Sequence, residues 1–299
     1  MTAALAPLDH LNARSALAEA CLAVGLDPAG AELVRLGENA VFRLRREPVI
    51  ARVARSPARR RAEREIAISR WLDAEGIPVI RTLELPQPIL AQGRVVVFWK
   101  SAADTTAYGN TAELGEILHR LHSLSLPAEL SMPPLDPVAG VRQRITTLTS
   151  LSENQQSFLD ARCAELLSNY GALATELPTG VIHGDANVGN LVRGRDGHPV
   201  LADLDGFAYG PREWDLVLTA LYHERYGWHT RKEYQQFADA YGYDVLQADC
   251  YRTLADLREL LMVAWLAQNA SHDPKAMQEL NKRLTTLRTG IGHRDWQPF

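Results

Sequence analysis

The sequence predicts an α+β chain in two lobes, a small β-rich one followed by a larger helical one. Three observations lead there. Short apolar runs broken by turn residues dominate the first hundred positions. From about Ser101 onward apolar residues recur at helical spacing instead. At 299 residues the chain is also long enough to bury two cores. The expected division is residues 1–100 for the first lobe and 101–299 for the second, joined near Phe98–Ser101.

Each element has its own signal. Asp9–Val24 reads as an amphipathic helix, with Leu17, Cys21 and Val24 on one face and Gly25 as its stop. Strand-like pieces follow at ELVRLG, AVFRLRR and VIARVA, separated by Gly37-Glu38-Asn39 and by Glu47-Pro48. Ser56 as N-cap and Pro57 at the first helical position open a helix running to about Glu75, before Gly76. Two more strands are expected at PVIRTLEL and RVVVFWK. This order suits a small, mostly antiparallel sheet with one helix packed against it. Beyond it, Asn110 caps a helix carrying Leu114, Leu118 and Leu121. Leu159, Cys163, Leu166 and Tyr170 mark the stripe of another. Segments from Glu213, Thr230, Cys250 and Pro274 are helical by the same spacing, and Thr230 with Glu233 forms a capping box. The Pro-rich LPAELSMPPLDP is a loop, and the sequence contains no internal repeat or low-complexity linker.

Composition narrows the function classes. A formal charge of −4 gives no general attraction to nucleic acid or anionic membrane. No apolar run approaches a membrane span, and the N-terminus lacks a secretory pattern. Cys21, Cys163 and Cys250 are odd in number and widely spaced, which points to a reducing, cytoplasmic setting rather than to disulfides or zinc. Arg greatly outnumbers Lys, and the first Lys is Lys100, so any cation needed earlier is Arg or His.

The chemistry concentrates in VIHGDANVGNLV (Val181–Val192) and PVLADLDGFAYGPREWDL (Pro199–Leu216). An apolar stub leads into a Gly-containing turn and leaves Asp185 on a loop. Asp196-Gly197 is a hairpin signal, and the hairpin returns Asp203 beside Asn190. Asp185, Asn190 and Asp203 thus gather hard oxygen donors that suit Mg2+ together with substrate phosphates. One Asp remains to orient a hydroxyl and take its proton during γ-phosphoryl transfer. Asp-x4-Asn with a downstream Asp is the protein-kinase arrangement, with His-Gly-Asp in place of His-Arg-Asp.

These residues resemble the aminoglycoside phosphotransferase family of the protein-kinase-like superfamily. HGDANVGN and LADLDGFAYGPREWDL carry the resemblance, with Pro211 and Asp215 fitting as well, and LGEILHRLHSL is similar to the helix before the catalytic loop. The resemblance implies a bilobal kinase-like fold, Asp185 as catalytic base, Asn190 and Asp203 as magnesium ligands, and His183 and Asp215 as braces of the loop. It implies ATP or GTP as donor, with Gly37 and Asn39 over the phosphates and the base against Val97, Phe98 and Trp99. It also requires a cation on the third strand paired with a Glu on the next helix. VIARVA offers Arg52. Glu65 is the partner, because it shares a helix face with Ala62, Ile68, Ser69 and Leu72, whereas Glu63 points to the charged side. A single glycine in RLGENAVF and Arg in place of Lys depart from the kinase pattern.

The acceptor side is expected after Asp215. From Asp203 to Glu259 acids outnumber bases. Asp205, Glu224, Trp228 and Asp239 are acceptor-binding candidates; the acids there either meet ammonium groups or form a solvated surface, and the aromatics either stack on ligand or fill core. His119 and His122 read as structural, and RVARSPARRRAERE as a solvated helix face. The expected activity is a small-molecule O-phosphotransferase, with an aminoglycoside or similar cationic antibiotic as first acceptor. A sugar, amino-sugar or choline-like alcohol kinase is the alternative, and a non-catalytic nucleotide-binding pseudokinase the rival from another class.

Overall fold

The computed structural model describes residues 7–37, 39–55, 58–103, 107–138, 141–147, 151–270 and 273–299. The elements run α1 (His10–Val24), β1 (Glu32–Leu36), β2 (Asn39–Arg43), β3 (Val49–Ala54), α2 (Arg59–Ala74), β4 (Ile89–Ala91), β5 (Arg94–Lys100), α3 (Thr111–Ser123) and α4 (Val141–Thr147). They continue α5 (Glu153–Gly171), β6 (Thr179–Ile182), β7 (Leu191–Arg193), β8 (Pro199–Leu201), β9 (Ala208–Pro211), α6 (Glu213–Leu221), α7 (Arg231–Tyr241), α8 (Tyr251–Ala270) and α9 (Pro274–Thr289). Two compact units emerge. The first comprises Met1–Gly109, Pro127–Ser131 and Val188–Gly206; the second comprises Asn110–Leu126, Met132–Asn187 and Phe207–Phe299.

The first unit is built on an antiparallel sheet of order β1-β2-β3-β5-β4. Strand alternation sorts its side chains between two faces. Ala51, Val53, Val96 and Phe98 join Ala13, Ala16, Leu17, Ala20 and Cys21 of α1 in one core. Arg52, Val97 and Trp99 therefore point to the other face, where α2 packs along β5. α1 is held at both ends, by the Asp9 carboxylate on the Leu11 and Asn12 amides and by Gly25 in the left-handed conformation. Ser56 and Pro57, read as the start of α2, lie outside the described residues; the helix begins after Ala58, which offers no side-chain cap.

One strand expectation is corrected. PVIRTLEL forms no strand: Val79 bridges Leu201 and Thr82 bridges Trp99, each singly. Bounded by Pro78 and Pro86, this segment passes between β8 and β5 and bonds once or twice to each, while the ladder position beside β5 goes to β4. Gln87 completes that flank. Its side-chain amide accepts from the Phe98 N–H at 2.8 Å and donates to the Phe98 carbonyl at 3.3 Å.

The second unit is helical apart from the antiparallel pair β6–β9. Capping boxes open α3 (Asn110 with Glu113), α5 (Ser152 with Gln155) and α7 (Thr230 with Glu233). α3 and α7 approach closely because Gly115 faces the α7 backbone; a Cβ there would lie 2.6 Å from the Phe237 carbonyl oxygen. α6 is buried along its whole length. It ends in a π-helical turn, Tyr222–Tyr226, closed by left-handed Gly227. The short helix α4 follows the Pro-rich loop, where the sequence reading had placed no element.

Candidate active site

The hairpin β7–β8 in the first unit forms as its turn chemistry requires. Gly197 takes φ 81°, the Asp196 carboxylate accepts from the His198 N–H, and Leu191 pairs with Leu201. At its base the Ala202 N–H donates to the Asn190 carbonyl at 2.8 Å, which sets Asn190 and the start of Ala202–Asp203 side by side. Asp203 adopts φ 58°, a left-handed conformation costly for a residue with a Cβ and concentrated at functional sites. An amide oxygen and a carboxylate at one hairpin base are a hard-oxygen pair that fits Mg2+, which draws few protein ligands. Among the described residues no three His, Cys, Asp or Glu side chains gather into a closed metal cage.

Asp205, one of the acceptor-binding candidates, receives an ion pair from Arg61 of α2. Arg61 also lies 3.6 Å from Glu65. Glu65 in turn pairs with Arg52, so the sequence-chosen partners do meet. Glu65 is almost fully buried. Burial pushes its carboxyl above the ordinary range and outweighs the attraction of Arg52. The Arg52 guanidinium lies 5.7 Å from the Trp99 ring centroid. At the loop between β1 and β2, Arg55 donates to the Gly37 carbonyl at 2.8 Å. Neither a left-handed φ nor a close neighbour demands glycine at 37. Asn39 opens β2 opposite Ala54. Phe98 differs from expectation: its side chain is fully buried against the α1 core and Gln87 takes its backbone groups, so Val97 and Trp99 alone of the three share the Arg52 face.

Asp185 lies in the second unit, on the turn after β6. The turn is braced from beneath. The buried Asp215 carboxylate accepts from the His183 N–H at 2.6 Å and the Gly184 N–H at 2.8 Å, and His122 Nε2 lies 3.0 Å from it. Burial opposes ionisation of Asp215, but the His122 hydrogen bond and the neighbouring His122 and His183 hold its carboxyl below the ordinary range. The second ring nitrogen of His122 meets the Tyr241 hydroxyl at 2.8 Å, which fixes the structural role read for it. The Trp214 indole donates to the Gly184 carbonyl at 3.0 Å. Asp185 itself is half exposed.

One neighbour of Asp185 escaped the sequence reading. Arg258, in the middle of α8, places Nη1 3.5 Å from Asp185 Oδ1 and stacks its guanidinium 4.1 Å over the Trp214 ring. The other three acceptor candidates scatter within the second unit. Trp228 packs on Tyr222 and Tyr226 and donates to the Trp296 carbonyl. Glu224 accepts from the Tyr251 hydroxyl. Asp239 sits on the exposed side of α7, accepting from Gln235 of its own helix. Tyr234 and Tyr241 are core residues. Tyr222 is pushed up to about 12 by burial and by the nearby charge of Asp185.

A braced acid on a tight turn, oxygen donors at a hairpin base and a buried Arg–Glu pair are groups of the kind that phosphoryl transfer uses. The class so defined is a phosphotransferase of the kinase type. The chain belongs to the phosphotransferase enzyme family, whose model matches residues 32–260. Among solved structures it is similar to an amicoumacin kinase in complex with AMP-PNP, Ca2+ and Ami, at 14% identity over 91% of both chains and a TM-score of 0.67. It is also similar to a spectinomycin phosphotransferase bound to ADP and spectinomycin, at 16% identity over 92% of this chain and 94% of that one, TM-score 0.65. A choline/ethanolamine kinase family protein from Mesorhizobium loti shares 17% identity over 95% of both, TM-score 0.61. Comparison with curated proteins gives no sequence match.

Proposed function

We propose that this phosphotransferase moves the γ-phosphoryl group of ATP or GTP to a hydroxyl of a small, cationic, polyhydroxylated molecule, with an aminoglycoside-like antibiotic as the leading acceptor. The brace under Asp185 is the observation that carries the reading. Two backbone N–H groups immediately before Asp185 are held by a buried carboxylate, so the base is positioned without being consumed in the brace. In the reaction the acceptor oxygen forms a bond to the γ-phosphorus as the bond to the bridging oxygen breaks. The electron pair leaves with the nucleoside diphosphate, and the acceptor's proton passes to Asp185. Asn190 and Asp203 would hold Mg2+, which when bound neutralises charge on the phosphate oxygens. Arg52, steadied by Glu65, binds the phosphates on the face it shares with Val97 and Trp99.

The antibiotic reading draws on the substrates bound by two structurally similar proteins and on the excess of acids after Asp203. A choline-like alcohol is the second reading, supported by the structural similarity to a choline/ethanolamine kinase family protein. The presence of Asp185, Asn190, Asp203 and a formed Arg52–Glu65 pair argues against a pseudokinase. Three buried cysteine thiols support the cytoplasm as its place of action, and no described helix is long and apolar enough to cross a membrane. The test is nucleotide consumption over a panel of aminoglycosides, amino sugars and amino alcohols, with Asp185→Asn beside wild type. Turnover should fall by about 100-fold or more in the variant while nucleotide binding persists. Near-normal turnover would remove Asp185 from the reaction.

A further inference from the structure

Arg258 is an expensive residue. It is 5% exposed, and burial depresses its guanidinium against the countering charges of Asp185, Asp215 and Tyr222. Its polar contacts are few. Nη1 lies 3.5 Å from Asp185 Oδ1, Nη2 donates to the Trp214 carbonyl at 3.3 Å, and buried Nε has no partner among the described residues. A methionine would cover the Trp214 ring with comparable apolar contact and would carry no desolvation cost, since apolar replacements of buried ions are often neutral or stabilising. Packing therefore accounts for the length of the side chain but not for its charge.

The contacts form a closed circuit. The Trp214 indole holds the Gly184 carbonyl, the Trp214 carbonyl and ring hold Arg258, and Arg258 reaches the carboxylate of the residue after Gly184. We propose that Arg258 is a positioning residue for the transfer reaction: its buried cation faces Asp185 Oδ1 and sets the rotation of the carboxylate that takes the acceptor's proton. The inference rests on the phosphotransfer reading above. Asp215 fixes the backbone of the turn, and Arg258 fixes the side chain that the turn carries. The guanidinium is the suitable group, being charged at every working pH and planar enough to stack and to donate at once. Buried behind Asp185, it acts through that carboxylate and not on the substrate.

The test measures kcat and both KM values for Arg258→Met, Arg258→Gln and Arg258→Lys, with Arg258→Met also placed in the Asp185→Asn background. In the wild-type background Arg258→Met should lower kcat by about 100-fold, the loss expected from misplacing a reacting group by about an ångström. The nucleotide KM should stay within about twofold, and Arg258→Lys should recover part of kcat. With Asp185→Asn already present, Arg258→Met should cost nothing further, because the group it positions is gone. An equal loss in both backgrounds, or normal kcat in folded Arg258→Met, would reduce Arg258 to packing. If Arg258→Met does not fold, Arg258→Gln decides by the same criteria, since it keeps a donor for the Trp214 carbonyl. Full activity of Asp185→Asn alone would instead overturn the phosphotransfer reading, which separates the two failures.

Discussion

Replacing Asp215 by Asn changes one atom and should be felt throughout the second unit. Both carboxylate oxygens are committed, Oδ1 to the Gly184 N–H and Oδ2 to the His183 N–H and His122. An amide can present oxygen to only one side. Its NH2 then faces a buried backbone donor on the other, stranding that N–H at about 1–3 kcal/mol. The bonds that survive also lose the roughly twofold strengthening a charged acceptor provides, so the total is about 2–4 kcal/mol. At about 1.5–2 °C per kcal/mol for 299 residues, the melting temperature should fall by roughly 3–8 °C. The pH dependence follows from the depressed carboxyl of Asp215. Its contribution is fully present above the unfolded value of 3.8 and is lost as pH falls through the lower folded value. The gap between wild type and Asp215→Asn should therefore be constant near neutrality and close only below about pH 4. Thermal unfolding followed by circular dichroism from pH 7 to pH 3 measures both. A variant melting within a degree of wild type, or a gap that widens in acid, would refute the brace.

Three further outcomes are expected. Arg52→Ala should raise the nucleotide KM more than the acceptor KM, because it leaves buried Glu65 with only Arg61, at 3.6 Å, as a described ion-pair partner; Glu65→Ala should do the same more mildly, and strict additivity of the pair in a double-mutant cycle would contradict their coupling. Asn190→Ala and Asp203→Ala should each shift the magnesium half-saturation point upward by about tenfold or more, and titrations matching wild type would dismiss both as ligands. Gly115→Ala should destabilise by about 1–3 kcal/mol through overpacking of α3 on α7, read as a lowered melting temperature; an unchanged melt would mean the helices yield without strain.

Local patterns made much of this molecule legible in the sequence. The Asp196-Gly197 hairpin and the Thr230–Glu233 box follow from spacing alone; the Arg52–Glu65 pair needed the family resemblance to call for it, and helix spacing then chose Glu65 over Glu63. What stayed hidden depends on contacts distant along the chain. Arg61 and Asp205 are separated by 144 positions, and nothing near either marks the other. Arg258 lies on a buried helix whose periodicity is satisfied whether or not its charge has a use. PVIRTLEL looks like a strand because it alternates, but alternation cannot reveal that neighbouring segments already occupy the ladder. Phe98 fell on the unexpected face for a related reason: β5 is buried on both sides, so its sequence shows no alternation from which to orient it.

The amide of Gln87 has a consequence for solubility. Val95–Trp99 is the run in this chain best suited to pair with another molecule, being apolar, uncharged and rich in β-branched and aromatic residues. In the folded protein β3 covers one flank. On the other, β4 pairs as far as Val96, Gln87 imitates a strand residue at Phe98, and the Lys100 N–H is taken by the Arg81 carbonyl. The edge strands of the sheet are β1 and β4; on β1, Glu32 and Arg35 carry charge and an irregularity between Leu33 and Arg35 breaks the register. The sheet thus keeps this adhesive strand in its interior. Loss of Gln87's hold would bare the Phe98 N–H at one corner of that strand, a place where another chain could begin to pair.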